Sequence, residues 1–201
     1  RFIETLGIIY RENLDVDTVY ELPLRFEAEG FANVVCRKLK IAEGIEPDLK
    51  DWTKLVDQFH SAGKSLEIAI VGKYVTLHDA YLSVTESLRH AAIPAGVRLN
   101  LRYVSAEEIE EKGPGALLEN TDAIVLPGGF GPRGMEGMVL TARYARENKI
   151  PFLGIGLGMQ MAAVDAARQG GLANAHSAEC EFSCTPLFVL PSNGNSQEKY
   201  M

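Results

Sequence analysis

The sequence predicts an α/β fold, doubly wound around a mostly parallel, flavodoxin-like sheet. Three observations lead there. From Leu66 onward, strand-sized apolar runs alternate with amphipathic helical stretches, the spacing of a parallel sheet joined by crossover helices. Two of those runs end in glycine-rich turns, Pro127–Gly134 and Gly154–Gly158. The second turn opens at once into a helix starting at Leu157, so strand, turn and helix make an elbow with Gly156 at its apex.

Residues 1–43 read poorly as an independent unit. Leu14 to Pro23 is expected to be extended or turn-like. Short helical pieces follow, split at Gly30, with Phe26, Val34, Val35 and Leu39 facing a core. Residues 44–65 form a connector. Pro47 and Asp48 mark a helix start, and Leu49, Trp52, Leu55, Val56 and Phe59 share one face before Gly63 breaks it.

The alternating part then runs in order. Glu67 to Val71 is a strand, after which Lys73 and Tyr74 read as a strand end facing solvent. Ala80 to Ala92 is a helix capped by Asp79, with Ala80, Val84, Leu88 and Ala91 inward. Val97 to Val104 alternates as a strand, Ser105 to Lys112 is a short acidic helix, and Asp122 to Leu126 is a third strand. A helix from Met135 to Asn148 leads to the elbow strand, Phe152 to Ile155. The elbow helix carries Met161, Val164, Asp165 and Arg168. After Gly171 the periodicity fades: residues 174–186 are small and polar, and Leu187 to Leu190 forms one more strand.

Composition narrows the function. A hydrophobic content of 46% suffices for a core, while a net charge of −7 with no basic stripe argues against nucleic acid or an anionic membrane as partner. No apolar run approaches the roughly 20 residues of a membrane span. The chain opens on Arg1 without a signal-peptide pattern, so it is expected to be a piece of something longer. Cys36, Cys180 and Cys184 form no disulfide framework, which favours a reducing, cytoplasmic setting.

Among candidate sites, Gly154-Ile-Gly-Leu-Gly158 is a poor dinucleotide fingerprint, because Met159 stands where that motif wants a small residue. No P-loop follows Lys73. His176, Cys180 and Cys184 lack the ligand number and spacing of a structural zinc site, and no metal is expected. Arg133 reads equally as a solvated loop charge or as a ligand contact. The two glycine turns together offer backbone N–H groups at Gly128, Gly129, Gly156 and Leu157 that suit a developing oxyanion.

Leu126-Pro-Gly-Gly-Phe-Gly-Pro-Arg-Gly134 and Pro151-Phe-Leu-Gly-Ile-Gly-Leu-Gly-Met-Gln160 resemble the glutaminase domain of the CTP synthases, which are class I glutamine amidotransferases. The phrase from Val71 to Glu86 narrows the resemblance to that family and favours Lys73 and Tyr74 at the contact between domains, and Asp15 to Pro23 is similar to the end of its synthetase domain. The resemblance implies a synthetase tail at 1–43, a linker with a helix at 44–65, and a partial amidotransferase domain at 66–201, incomplete at its C-terminus. It implies a ligase that makes CTP from UTP with ATP and Mg²⁺, using ammonia freed from glutamine. Glutamine is then the ligand of this chain, which has no cofactor of its own. UTP and ATP bind through the missing synthetase domain, and the parent is a homotetramer.

Residue by residue, the resemblance places a nucleophilic cysteine at the elbow, where this chain has Gly156. It assigns the oxyanion hole to the backbone of Gly129 and Leu157, and the glutamine to Gly129, Phe130, Leu157, Gly158, Met159 and Gln160. The acid that grips the glutamine amino group falls on Glu179, with Glu181 as the alternative. Asp15 and Val16 border the ATP adenine. The chain ends before the family's catalytic His-Pro-Glu phrase, and none of His60, His78, His90 and His176 is placed to replace it. The chain as written is therefore expected not to hydrolyse glutamine. Natural loss, an introduced change and a modified residue recorded as glycine would each account for position 156. The rival is a non-catalytic regulatory or assembly module of the same fold.

Overall fold

The computed structural model describes residues 16–41, 46–178 and 185–188. The chain divides into two compact units at Gly63/Lys64, with the turn Ile93–Val97 grouped with the first.

The first unit holds a 3₁₀ turn, Val19–Glu21, and helices α1 (Leu22–Ala28), α2 (Phe31–Leu39) and α3 (Lys50–Ser61). The Thr18 hydroxyl accepts from the Tyr20 amide at 3.4 Å and caps the 3₁₀ turn. Pro23 follows in the first turn of α1, where a missing N–H costs nothing. The extended stretch expected up to Pro23 is thus already helical from Val19, because these local hydrogen bonds outweigh the turn-like composition. Gly30 takes φ 74° and reverses the chain between α1 and α2, letting Phe26 stack on Phe31 at 5.2 Å. Leu39, expected inward, is 65% exposed: it closes α2 just before Lys40 turns left-handed. The Asp48 carboxylate accepts from the Lys50 amide at 3.1 Å and opens α3, and the Trp52 indole N–H donates to the Tyr20 carbonyl.

The second unit is the α/β body. Strands β1 (Lys64–Gly72), β2 (Val97–Ser105), β3 (Ala123–Leu126) and β4 (Phe152–Gly154) form one sheet in the order β2–β1–β3–β4. β3 runs parallel to both neighbours, with Ile68 opposite Ala123 and Ile124 opposite Phe152. This is the flavodoxin-type order, and it sends the loops after β1, β3 and β4 to the same carboxyl edge of the sheet. The helices are α4 (Leu82–Ala92), α5 (Ala106–Lys112), α6 (Gly115–Leu118), α7 (Met135–Glu147) and α8 (Leu157–Gln169). α5 packs on α7 and α7 on α8, forming one layer. Ala69, Val71, Ile124, Leu126, Met138, Val139, Met161 and Val164 fill the core, and each large one contributes about 1.5–3 kcal/mol by leaving water.

Two expectations about α4 are corrected. Asp79 does not cap it: that residue lies inside a 3₁₀ turn, His78–Tyr81, whose N-cap is Leu77. Ala80 and Ala91 are exposed, and the helix buries Thr85 and Ala92 with Val84 and Leu88 half-buried. Tyr81 takes the inward place because its ring covers Gly72, where a Cβ would lie 2.3 Å from the phenol oxygen. The tail also differs. Residues 174–186 contain a strand, β5 (Ala175–Ser177), paired in parallel with β6 (Thr185–Phe188). β6 begins two residues before the expected strand, and Val189 and Leu190 lie outside the described residues.

Asp165, buried on α8, ties the helix layer together. Its carboxylate accepts from Arg143 Nε at 3.2 Å and Arg146 Nε at 2.9 Å, both on α7. The carboxylate in turn raises the affinity of the Arg146 guanidinium for its proton. Asp165→Ala is expected to lower stability by about 1.5–3 kcal/mol, the scale for losing hydrogen bonds to a buried charged group. A urea titration with unchanged midpoint would show that α7 and α8 hold together without it.

Candidate functional site

Each glycine of Gly154-Ile-Gly-Leu-Gly158 answers a different demand. At Gly154 a Cβ would lie 2.6 Å from the Met159 amide nitrogen, and at Gly158 it would lie 2.1 Å from the Leu126 carbonyl oxygen. Both positions are glycine because α8 starts almost in contact with β3 and β4. Gly156 differs. It has φ 54° and ψ −112° as the N-cap of α8, a conformation that costs other residues about 1–3 kcal/mol, but it faces solvent. A Cβ there would meet only Gly128 Cα, at an ordinary 3.8 Å. The apex of the elbow is therefore strained and roomy, the pairing that elsewhere serves to present a nucleophile.

The two glycine turns meet at this apex. Beyond the Gly128–Gly156 approach, a Cβ on Gly129 would touch Leu157 Cδ2 at 3.7 Å and Lys73 Cδ at 3.3 Å. Lys73, read from the sequence as facing solvent, is buried. Its ammonium donates to the carbonyls of Phe130 (3.3 Å) and Gly131, so the strand end of β1 holds the loop that follows β3. Arg133 closes the loop from the other side. It donates to both Glu107 carboxylate oxygens at 2.6 Å and to the Lys73 carbonyl at 3.1 Å, and lies 5.8 Å from the Tyr74 ring centre. The Tyr81 hydroxyl accepts from the Tyr74 amide at 3.1 Å, and burial pushes its own ionisation above the usual phenol range. Lys73→Met keeps the apolar stem and removes the ammonium. It is expected to cost about 1–3 kcal/mol and to loosen the loop, read as faster amide hydrogen exchange at residues 129–131.

Of the site residues expected from the sequence, Gly129, Phe130, Leu157, Gly158, Met159 and Gln160 all lie on the two joined turns or the first turn of α8. Leu157 and Gly158 are buried, whereas the Phe130 ring is 82% exposed and Met159 50%. Gln160 is half-buried and does not cap the helix with its side chain: its carboxamide oxygen accepts from the Ser177 hydroxyl at 2.6 Å. Val16 is half-buried in the first unit; Asp15, Glu179 and Glu181 lie outside the described residues. The sequence reading missed Lys73 as a loop clamp and Ser177 as a partner of Gln160. No local pattern marks either, since each bonds to a residue on a separate element distant in sequence.

Two groups of candidate metal ligands bear on the expectation of no metal. Cys180 and Cys184 fall outside the described residues, so the set with His176 is not described as a cluster. Elsewhere among the described residues, Asp17, Glu21 and His60 place one ligand atom each within 4.8 Å of one another. His60 there faces Glu21 through Nε2 at 3.0 Å and Asp17 through Nδ1 at 3.8 Å, so both ring nitrogens are turned to carboxylates. No helix among the described residues is long and apolar enough to cross a membrane.

Sheet order, glycine-built elbow and clamped loop define an α/β protein of the class I glutamine amidotransferase type. Comparison with known proteins agrees: the family model for class-I glutamine amidotransferase matches residues 76–186, and the chain belongs to that family. It is similar to the CTP synthase of Ruminiclostridium cellulolyticum, 49% identical over 180 residues, which cover 89% of this chain and 33% of that protein. The CTP synthase of Thermococcus gammatolerans is also 49% identical, over 83% of this chain and 31% of its own length. The chain thus spans about a third of these relatives. Among solved structures, the glutaminase domain of Trypanosoma brucei CTPS with bound acivicin matches with TM-score 0.56 and 40% identity, over 60% of this chain and 48% of that one.

Proposed function

We propose that residues 66–201 form part of the glutaminase domain of a CTP-synthesising enzyme, with residues 1–43 as the tail of a synthetase domain and 44–65 as the linker. The observation that carries this reading is the open apex at Gly156, bordered by Gly128 and by the first turn of α8. A glutamine carboxamide carbon fits beside the apex, with its oxygen toward the amides of Gly129 and Leu157. The Leu157 amide opens α8 and has no partner within its own helix, and the helix N-terminus adds partial positive charge where an oxyanion would form. Gln160, Phe130 and Met159 border the rest of the ligand, and Glu179 takes its amino group.

In this arrangement chemistry needs a thiol at 156. Glycine offers none, so no thioester forms, and the chain as written binds glutamine weakly at most and does not hydrolyse it. UTP, ATP and Mg²⁺ belong to the synthetase domain of the longer parent, where Asp15 and Val16 would border the adenine and the assembly would be a tetramer. The missing side chain also favours a second reading, a regulatory or assembly module that keeps the glutamine site as a sensor. The test is glutamate release from the full-length protein carrying Gly156→Cys. Release supports the enzyme reading, and none supports the module.

A further inference from the structure

We propose that Ser177 is a positioning residue that sets the orientation of the Gln160 carboxamide toward bound glutamine; this rests on the glutamine site described above. Ser177 lies on β5 and is fully buried, yet its hydroxyl donates to Gln160 Oε1 at 2.6 Å. Gln160 stands one turn into α8, and its backbone amide donates to the Gly156 carbonyl at 3.1 Å. The residue therefore stands one helical turn beyond the elbow apex. A primary carboxamide left to itself presents oxygen or NH₂ with little preference, since the two branches have nearly the same shape. The bond to the buried hydroxyl holds that carboxamide in one rotamer against β5. Holding the carboxamide on β5 fixes the direction in which the Gln160 side chain leaves α8, and with it the shape of the wall that faces the ligand.

The platform under Ser177 is rigid enough for this task. Arg168, two turns further along α8, donates from Nε to the Ala175 carbonyl at 3.0 Å and ion-pairs with Glu136 on α7. The Ala175 amide donates to the Leu172 carbonyl at 2.9 Å, and the Ser177 amide to His176 Nδ1 at 3.0 Å. β5 is therefore clasped to α8 at two points, and the second of them is the Ser177–Gln160 bond.

The test uses the ¹⁵N-labelled chain titrated with L-glutamine, following the amide signals of Gly129 and Leu157. Ser177→Ala is expected to raise Kd about tenfold, the effect of one ordinary hydrogen bond. Ser177→Thr, which keeps the hydroxyl, is expected to recover most of that loss. In a Gln160→Ala background, Ser177→Ala is expected to change nothing further, because the residue acts through Gln160. If Ser177→Ala does not fold, Ser177→Cys keeps the volume, weakens the hydrogen bond and is expected to give a smaller rise in the same direction. An unchanged Kd in a folded variant, or an equal loss in the Gln160→Ala background, overturns the proposal. If the unmodified chain gives no response to glutamine at any concentration, the glutamine site itself falls and this role falls with it.

Discussion

Gly156→Cys is expected to produce a thiol at the elbow that iodoacetamide alkylates faster at neutral pH than it does free cysteine. Space is available, because the nearest atom to a Cβ there is Gly128 Cα at 3.8 Å. The backbone exacts a cost: a non-glycine residue at φ 54°, ψ −112° loses about 1–3 kcal/mol, so the urea midpoint should fall while the fold survives. Reactivity follows from where the sulfur sits. A free thiol ionises near pH 8.5, and the N-terminus of a helix stabilises the thiolate and lowers that value. The thiolate is the attacking form, so a lowered pKa places the half-maximal labelling rate below pH 8.5. Each unit of lowering raises the thiolate present at pH 7 about tenfold. Because Cys36, Cys180 and Cys184 also label, the rate is read from the mass of the peptide that contains residue 156. A half-maximum at or above pH 8.5 would mean that the amides around the apex do not converge on it, and the oxyanion reading would fail. In the full-length protein the same substitution is expected to raise glutamate release by on the order of 10⁴-fold or more, the usual scale for an essential nucleophile.

What the sequence made legible was what local chemistry decides. Alternating apolar runs placed β1 to β4, and strand-to-turn-to-helix glycines placed the elbow, since periodicity and glycine follow directly from backbone geometry. The sites that escaped depend on distant partners. Lys73 looked solvated because its own neighbours say nothing of Phe130 and Gly131, whose carbonyls receive its ammonium. Arg133 stayed open between a solvated loop charge and a ligand contact, because Glu107 and the Lys73 carbonyl reach it from separate elements. Ala80 and Ala91 were put on the buried face of α4 by apolar count alone. The inward line instead runs through Tyr81 and Thr85, since Tyr81 fills the space above Gly72. β5 escaped because Ala-His-Ser has no alternation, and only its pairing with β6 makes it a strand. The backbone N–H groups of the glycine turns suggested an oxyanion site, whereas a nucleophile at the elbow came only from resemblance, because glycine at the apex has no side chain to declare it.

Gly158→Ala is expected to be severely destabilising, because the added methyl group meets the sheet itself. Its Cβ would lie 2.1 Å from the Leu126 carbonyl oxygen and 2.6 Å from Leu126 Cβ, and neither can retreat. Leu126 ends β3, the strand between β1 and β4, and is fully buried. Its carbonyl also accepts from the Ile155 amide at 2.8 Å, so moving it breaks the turn that feeds the elbow. Relief requires α8 to lift from the sheet, which uncovers Met161 and Val164. Overpacking usually costs about 1–3 kcal/mol, and a rigid backbone neighbour puts this case at about 3 kcal/mol or above. Gly63→Ala is the control: no atom lies within 4 Å of its Cβ, and the expected effect is neutral to about 1 kcal/mol stabilising. Urea titrations of the two variants separate the close approach from a general intolerance of alanine. Function should follow the same division. Lifting α8 carries the Leu157 amide and Gln160 away from the Gly129 loop, so any folded fraction of Gly158→Ala should lose its response to glutamine while Gly63→Ala keeps it. Equal midpoints for Gly158→Ala and the unmodified chain would show that α8 does not start against β3, and the apex at Gly156 would lose the geometry on which the proposed glutamine site depends.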